Sequence, residues 1–79
     1  MATPIVIPRE GQSMETGNIL EWLVSVGDTV EFGQALCEVE SEKTTFTVES
    51  PVEGVVKEII GKAGEEYPVL TPIAYIEED

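Results

Sequence analysis

At 79 residues the chain allows one small domain, below the roughly 100–200 residues that a typical domain occupies. Its composition is globular, 42% hydrophobic and 25% charged, but 16 acidic residues against 4 basic ones leave a net charge of −12. A surface so acidic repels nucleic acid and anionic membranes, whose binding rests on Lys and Arg. The absence of histidine removes imidazole-activated nucleophiles and the usual zinc clusters, because Cys37 cannot complete one alone. A single cysteine also forms no internal disulfide, so a reducing compartment is expected. The segment Met1–Glu10 has no basic stretch followed by an apolar core, and no apolar run approaches the ~20 residues of a membrane helix.

Taken in chain order, the pattern predicts strands. Ile5–Ile7, Ile19–Val24, Ala35–Glu40, Thr44–Glu49, Val55–Ile60 and Ile73–Ile76 are short and rich in β-branched residues. Breakers separate them, among them Pro8, Gly11, Gly17, Gly27-Asp28, Gly33, Pro51, Gly54, Gly61, Gly64, Pro68 and Pro72. No interval between breakers suits a helix, and closely spaced short strands predict an all-β sandwich or barrel.

An internal repeat sharpens this expectation. Gly17–Glu40 aligns without gaps on Gly54–Glu77 at an offset of 37 positions, with Gly17/Gly54, Glu21/Glu58, Gly27/Gly64 and Glu40/Glu77 identical. Ile19/Val56, Leu23/Ile60, Leu36/Ile73 and Val39/Ile76 stay apolar. Two halves, approximately 1–40 and 44–79, therefore bury their apolar faces against each other around a pseudo-two-fold axis. The first half carries an extra segment, Arg9 to Met14, between Pro8 and Gly17, which reads as a surface loop. Gly27 and Gly64 are expected at positive φ in equivalent turns.

Residues 41–44, Ser-Glu-Lys-Thr, join the halves and are predicted to form a hairpin turn. The repeat offset carries Lys43 one position past Asp79. The symmetry mate of this turn is therefore the place where the chain begins and ends.

Around this lysine the chain resembles the lipoyl domains of 2-oxo acid dehydrogenase complexes, within the biotinyl/lipoyl carrier family. The resemblance covers Ile5 to Ile76 and is most specific at Glu40-Ser41-Glu42-Lys43-Thr44 and Val48-Glu49-Ser50-Pro51-Val52-Glu53-Gly54. Family members usually carry Asp-Lys-Ala where this chain has Glu42-Lys43-Thr44. The resemblance implies a flattened β-barrel of two antiparallel sheets with an internal pseudo-dyad, spanning residues 1–79. It implies that Lys43 carries lipoate in amide linkage, with no catalytic residue and no metal in the domain itself. The implied role is a swinging-arm carrier within a dihydrolipoamide acyltransferase. A thiamine-dependent decarboxylase reductively acylates the ring sulfur, an acyltransferase core moves the acyl group to coenzyme A, and a flavin dihydrolipoamide dehydrogenase reoxidises the dithiol. A lipoylating enzyme is a fourth partner.

Recognition by these partners is expected to use Glu40, Glu42 and Thr44 beside the lysine, and Gly11, Gln12, Ser13 and Met14 of the extra segment, which the resemblance places close to the hairpin. Two alternatives stand beside this reading, a biotin carboxyl carrier domain and an unmodified acidic docking module. Biotin carriers typically flank the modified lysine with methionines, and Met14 is the only internal methionine here. Lys57 and Lys62 read as plain surface residues, and Cys37 as a small buried hydrophobe. The acidic residues form no calcium loop around Asp28 or Asp79. Alternation does not decide whether Trp22 packs inward. The isolated domain is expected to be a monomer in the bacterial cytoplasm or, in a eukaryote, the mitochondrial matrix. The resemblance implies that choice of the 2-oxo acid or acetoin-like substrate belongs mainly to the decarboxylase.

Overall fold

A computed structural model describes residues 2–42 and 44–78. Lys43, on which the attachment expectation rests, lies outside the described residues, as do Met1 and Asp79. Eight strands and no helix occur among the described residues: β1 (Ala2–Val6), β2 (Thr16–Trp22), β3 (Thr29–Val30), β4 (Ala35–Glu40), β5 (Thr45–Glu49), β6 (Gly54–Ile59), β7 (Glu66–Pro68) and β8 (Pro72–Glu77). They form two antiparallel four-stranded sheets, in the orders β1-β8-β6-β3 and β5-β4-β2-β7. The all-β, two-sheet expectation is met. β3 and β7 are additions to the six strands predicted, too short for alternation to register.

The repeat is a property of the fold. Shifting by the offset places β2 on β6, β3 on β7 and β4 on β8, while β1 reaches β5 once the extra segment is counted. One sheet thereby maps onto the other strand for strand. The hydrogen bonds repeat as well: Gly27 N–H donates to the Val56 carbonyl at 2.8 Å, and Gly64 N–H to the Ile19 carbonyl at 2.6 Å. Both glycines have positive φ, 96° and 89°, as expected of the equivalent turns.

The core sits between the sheets and draws on both halves. Ile19 and Val56, Leu36 and Ile73, Cys37 and Ala74, and Val39 and Ile76 are buried pairs related by the repeat. Adjacent burial of Leu36 and Cys37 breaks strict alternation for a local reason. A register shift between Ala35 and Cys37 inserts Leu36 as an extra residue, and a matching shift around Ile73 puts both it and Ala74 inside. Trp22 is half-buried, and its indole N–H donates to the Gly61 carbonyl at 2.8 Å.

One turn pair breaks the symmetry in sequence and keeps it in geometry. Gly33 has φ 83°, and its mate is Leu70 at φ 64°. Gly33 N–H donates to the Ser50 carbonyl at 2.8 Å and Leu70 N–H to the Ile7 carbonyl at 2.9 Å. The same fold-imposed turn therefore forces a left-handed backbone on a leucine, which costs an L-residue on the order of 1 kcal/mol.

Candidate functional site

The β4–β5 hairpin is held in register up to its turn, with Val39 opposite Phe46 and Glu40 opposite Thr45. Ser41 and Thr44 then close it from both sides. Ser41 N–H donates to the Thr44 carbonyl at 2.7 Å, and the Ser41 hydroxyl donates to the same oxygen at 3.1 Å. Thr44 N–H returns a bond to Ser41 Oγ at 3.2 Å. A hydroxyl that serves its own turn in this way substitutes for a missing ladder bond. Only positions 42 and 43 lie between the two clamped residues, and Glu42 is exposed.

Glu40 paired with Thr45 is the repeat image of Glu77 paired with Ala2, so the hairpin occupies the place that the paired ends of β1 and β8 occupy in the other sheet.

The extra segment returns to the same end of the molecule. Arg9 guanidinium N–H donates to the Gln12 carbonyl at 3.5 Å, Met14 N–H to the Gly11 carbonyl at 3.1 Å and Glu10 N–H to Met14 Sδ at 3.4 Å. Met14 is half-buried and packs on the core. Its Cε lies 3.3 Å from where a Cβ at Gly17 would stand, and that Cβ would also approach Val39 Cγ1 to 2.7 Å. Glycine at position 17 thus opens the space into which the segment anchors. The segment is more than a surface loop, since one of its residues belongs to the packing.

Between hairpin and segment lies a groove of about 540 Å³. Of the residues expected to serve recognition, Glu40, Glu42, Thr44, Gly11, Ser13 and Met14 line it. Gln12 does not line it; its carbonyl is turned to Arg9 within the segment. Asn18, Thr16 and Glu66 also line the groove and were not anticipated. The pairing of β2 with both β4 and β7 brings them there: Asn18 lies opposite Glu40 on one side and Glu66 on the other. Thr16 Oγ1 donates to a Glu66 carboxylate oxygen at 2.8 Å. Five glutamates, Glu10, Glu15, Glu40, Glu42 and Glu66, and no basic residue border the groove among the described residues. No group of three or more His, Cys, Asp or Glu among the described residues could hold a metal ion.

The remaining candidates separate cleanly. Lys57 is exposed on β6 and pairs with Glu77 at 3.4 Å, a contact worth little at the surface. Lys62 is exposed in a turn, where its N–H donates to the Tyr67 hydroxyl at 2.8 Å. Cys37 is fully buried, and burial pushes its thiol up to about 12, away from the reactive thiolate.

A family model described as "Biotin-requiring enzyme", the biotin/lipoyl model, matches residues 3–76. The chain belongs to the biotin/lipoyl family. Among curated relatives of this biotin/lipoyl domain is the dihydrolipoyllysine-residue acetyltransferase component of the acetoin cleaving system of Bacillus subtilis. It is 40% identical over 76 residues, covering 96% of this chain and 19% of the relative. Two solved structures share the fold. The lipoyl domain of the 2-oxoglutarate dehydrogenase complex of Azotobacter vinelandii superposes with a TM-score of 0.73 at 21% identity, covering 94% of this chain and 96% of its own. The urea carboxylase of Kluyveromyces lactis gives a TM-score of 0.82 at 26% identity, covering 98% of this chain and 6% of that enzyme. The biotin/lipoyl domain spans less than a fifth of the length of the curated relatives it matches.

Proposed function

We propose that this chain is a lipoyl carrier domain, with lipoate joined to the Lys43 amine through an amide bond. It would serve a 2-oxo acid or acetoin dehydrogenase complex as part of a dihydrolipoamide acyltransferase. The observation that carries this reading is the clamped turn of Ser41 and Thr44, which leaves only positions 42 and 43 between two locked strands, beside a groove built from both halves of the repeat. The residues fit the group: attachment needs one lysine in a turn that an enzyme can address, and Lys43 is the only lysine between the two repeats.

When attached, the dithiolane supplies the redox and acyl-carrying chemistry, which is why so small a protein suffices. The residues of this chain supply position and address. Ser41 and Thr44 hold the two sides of the turn together. Met14 pins the extra segment along the groove, and the five glutamates around it set a negative potential that selects partners with basic surfaces. Tethering then raises the effective concentration of the carried group at each active site. In this reading the partners are a thiamine-dependent decarboxylase, an acyltransferase core, a flavin dihydrolipoamide dehydrogenase and a lipoylating enzyme, in the cytoplasm or the mitochondrial matrix.

The family also includes biotin-requiring enzymes, so biotin on the same lysine is the second reading. Glu42 and Thr44, in place of flanking methionines, favour lipoate. The test is parallel incubation with a lipoate ligase and with a biotin ligase, followed by peptide mapping. Lipoyl label on Lys43, and none on Lys57 or Lys62, is the expected outcome. Biotin on Lys43 without lipoate would establish the second reading, and label on Lys57 or Lys62 with Lys43 bare would overturn both.

A further inference from the structure

Leu70 stands out among the described residues as the one non-glycine residue with a left-handed backbone, and 61% of its surface is exposed. Its repeat mate, under the same hydrogen-bonding pattern, is Gly33. Glycine is thus compatible with the turn, yet this copy of it carries a large apolar side chain that does not pack on the core. Backbone strain held without a packing return points to a use for the side chain.

The position of Leu70 indicates the use. Asn18 is opposite both Glu40 and Glu66, and Thr16 is opposite Pro68, so the β7–β8 turn extends toward the same end of the sheet as the hairpin. Val69 and Leu70 bracket the extra segment, their N–H groups donating to the carbonyls of Glu15 and Ile7 at 2.9 Å each. An exposed leucine therefore stands at the foot of the segment, at the same end of the sheet as a groove bordered by five glutamates and, among the described residues, by no basic one. We propose that Leu70 is an apolar docking residue for the decarboxylase that loads the carrier, whose complementary surface would present basic side chains around a small apolar pocket. This rests on the lipoyl reading above. Charge complementarity commits the partner to a basic rim, and the strained leucine supplies the contact that charge alone does not.

The test uses Leu70→Gly and Leu70→Asn, both compatible with a left-handed backbone, in the fully lipoylated chain with its cognate decarboxylase. Lipoylation of Lys43 should be unchanged, since the ligase addresses the hairpin. The unfolding midpoint of Leu70→Gly should hold or rise by a few degrees as the strain is relieved. The kcat/KM for reductive acylation should fall about fivefold to tenfold in both variants, carried mainly by KM. Full lipoylation with kcat/KM equal to wild type in both variants would overturn the assignment of Leu70 and leave the carrier reading intact. A wild-type chain that takes no lipoate would overturn the carrier reading and this one with it.

Discussion

At the scale of single residues, Cys37 shows how burial sets chemistry. It lies in the core with no exposed surface, and its thiol is pushed up to about 12 from an ordinary 9.0. The unfolded chain therefore releases this proton earlier than the native one. Stability from this group is complete below pH 9 and is lost as pH rises toward 12, at up to about 1.4 kcal/mol per pH unit. Chemical denaturation at pH 8 and pH 10.5 should show a loss that Cys37→Ala largely removes, because the repeat mate at that site is Ala74. An equal loss in the variant would assign the effect to other groups. Thiol reagents should leave the native protein unmodified at neutral pH.

At the scale of elements, the extra segment Arg9–Met14 is the main departure from symmetry, and two residues record what it does. Val69, beside the segment, is 9% exposed, whereas its mate Phe32, with only the short Pro51–Gly54 connection on its side, is 78% exposed. Shortening residues 9–14 to match that connection should therefore expose Val69 and remove the packing of Met14. The expected cost is on the order of 1–2 kcal/mol, read as a midpoint lowered by several degrees. The fold should survive, because the pairing of β1 with β8 and of β2 with β7 uses none of these residues. If the proposed carrier role holds, lipoylation should persist, while reductive acylation falls roughly tenfold, about 1.4 kcal/mol in transition-state binding. An unchanged midpoint would deny the segment its covering role, and an unchanged kcat/KM would move recognition to the hairpin flanks. The sequence showed this segment and its place in the repeat, because a gap between matched prolines and glycines is visible without a structure. It did not show Asn18, Thr16 and Glu66 in the groove, since their approach depends on β7, whose three residues leave no periodic trace. Leu70 was hidden for a related reason: leucine disguises a turn that its mate announces with Gly33.

At the scale of the whole molecule, a net charge of −12 is confined to extents of 36 × 22 × 17 Å. Folding concentrates these charges, and the self-repulsion opposes the compact state. Sodium chloride screens such repulsion, with a Debye length of about 10 Å at 0.1 M and 3 Å at 1 M. The unfolding midpoint should therefore climb by a few degrees over that range, whereas a flat or falling midpoint would show that like charges are already well dispersed. The same salt should slow docking to a basic partner, so stability and transfer rate are expected to move in opposite directions.

The two sheets present four open edges, β1, β3, β5 and β7. Open edges invite pairing with strands of other molecules, and this chain blunts three of them. β1 carries Pro4 at its centre, β7 is three residues long and ends in Pro68, and β3 has only two residues. The remaining edge, β5, is bordered by Pro51 just past its end and carries an exposed glutamate at Glu49. Crowding many copies of this domain together, as a large assembly would, therefore carries little risk of edge-to-edge aggregation.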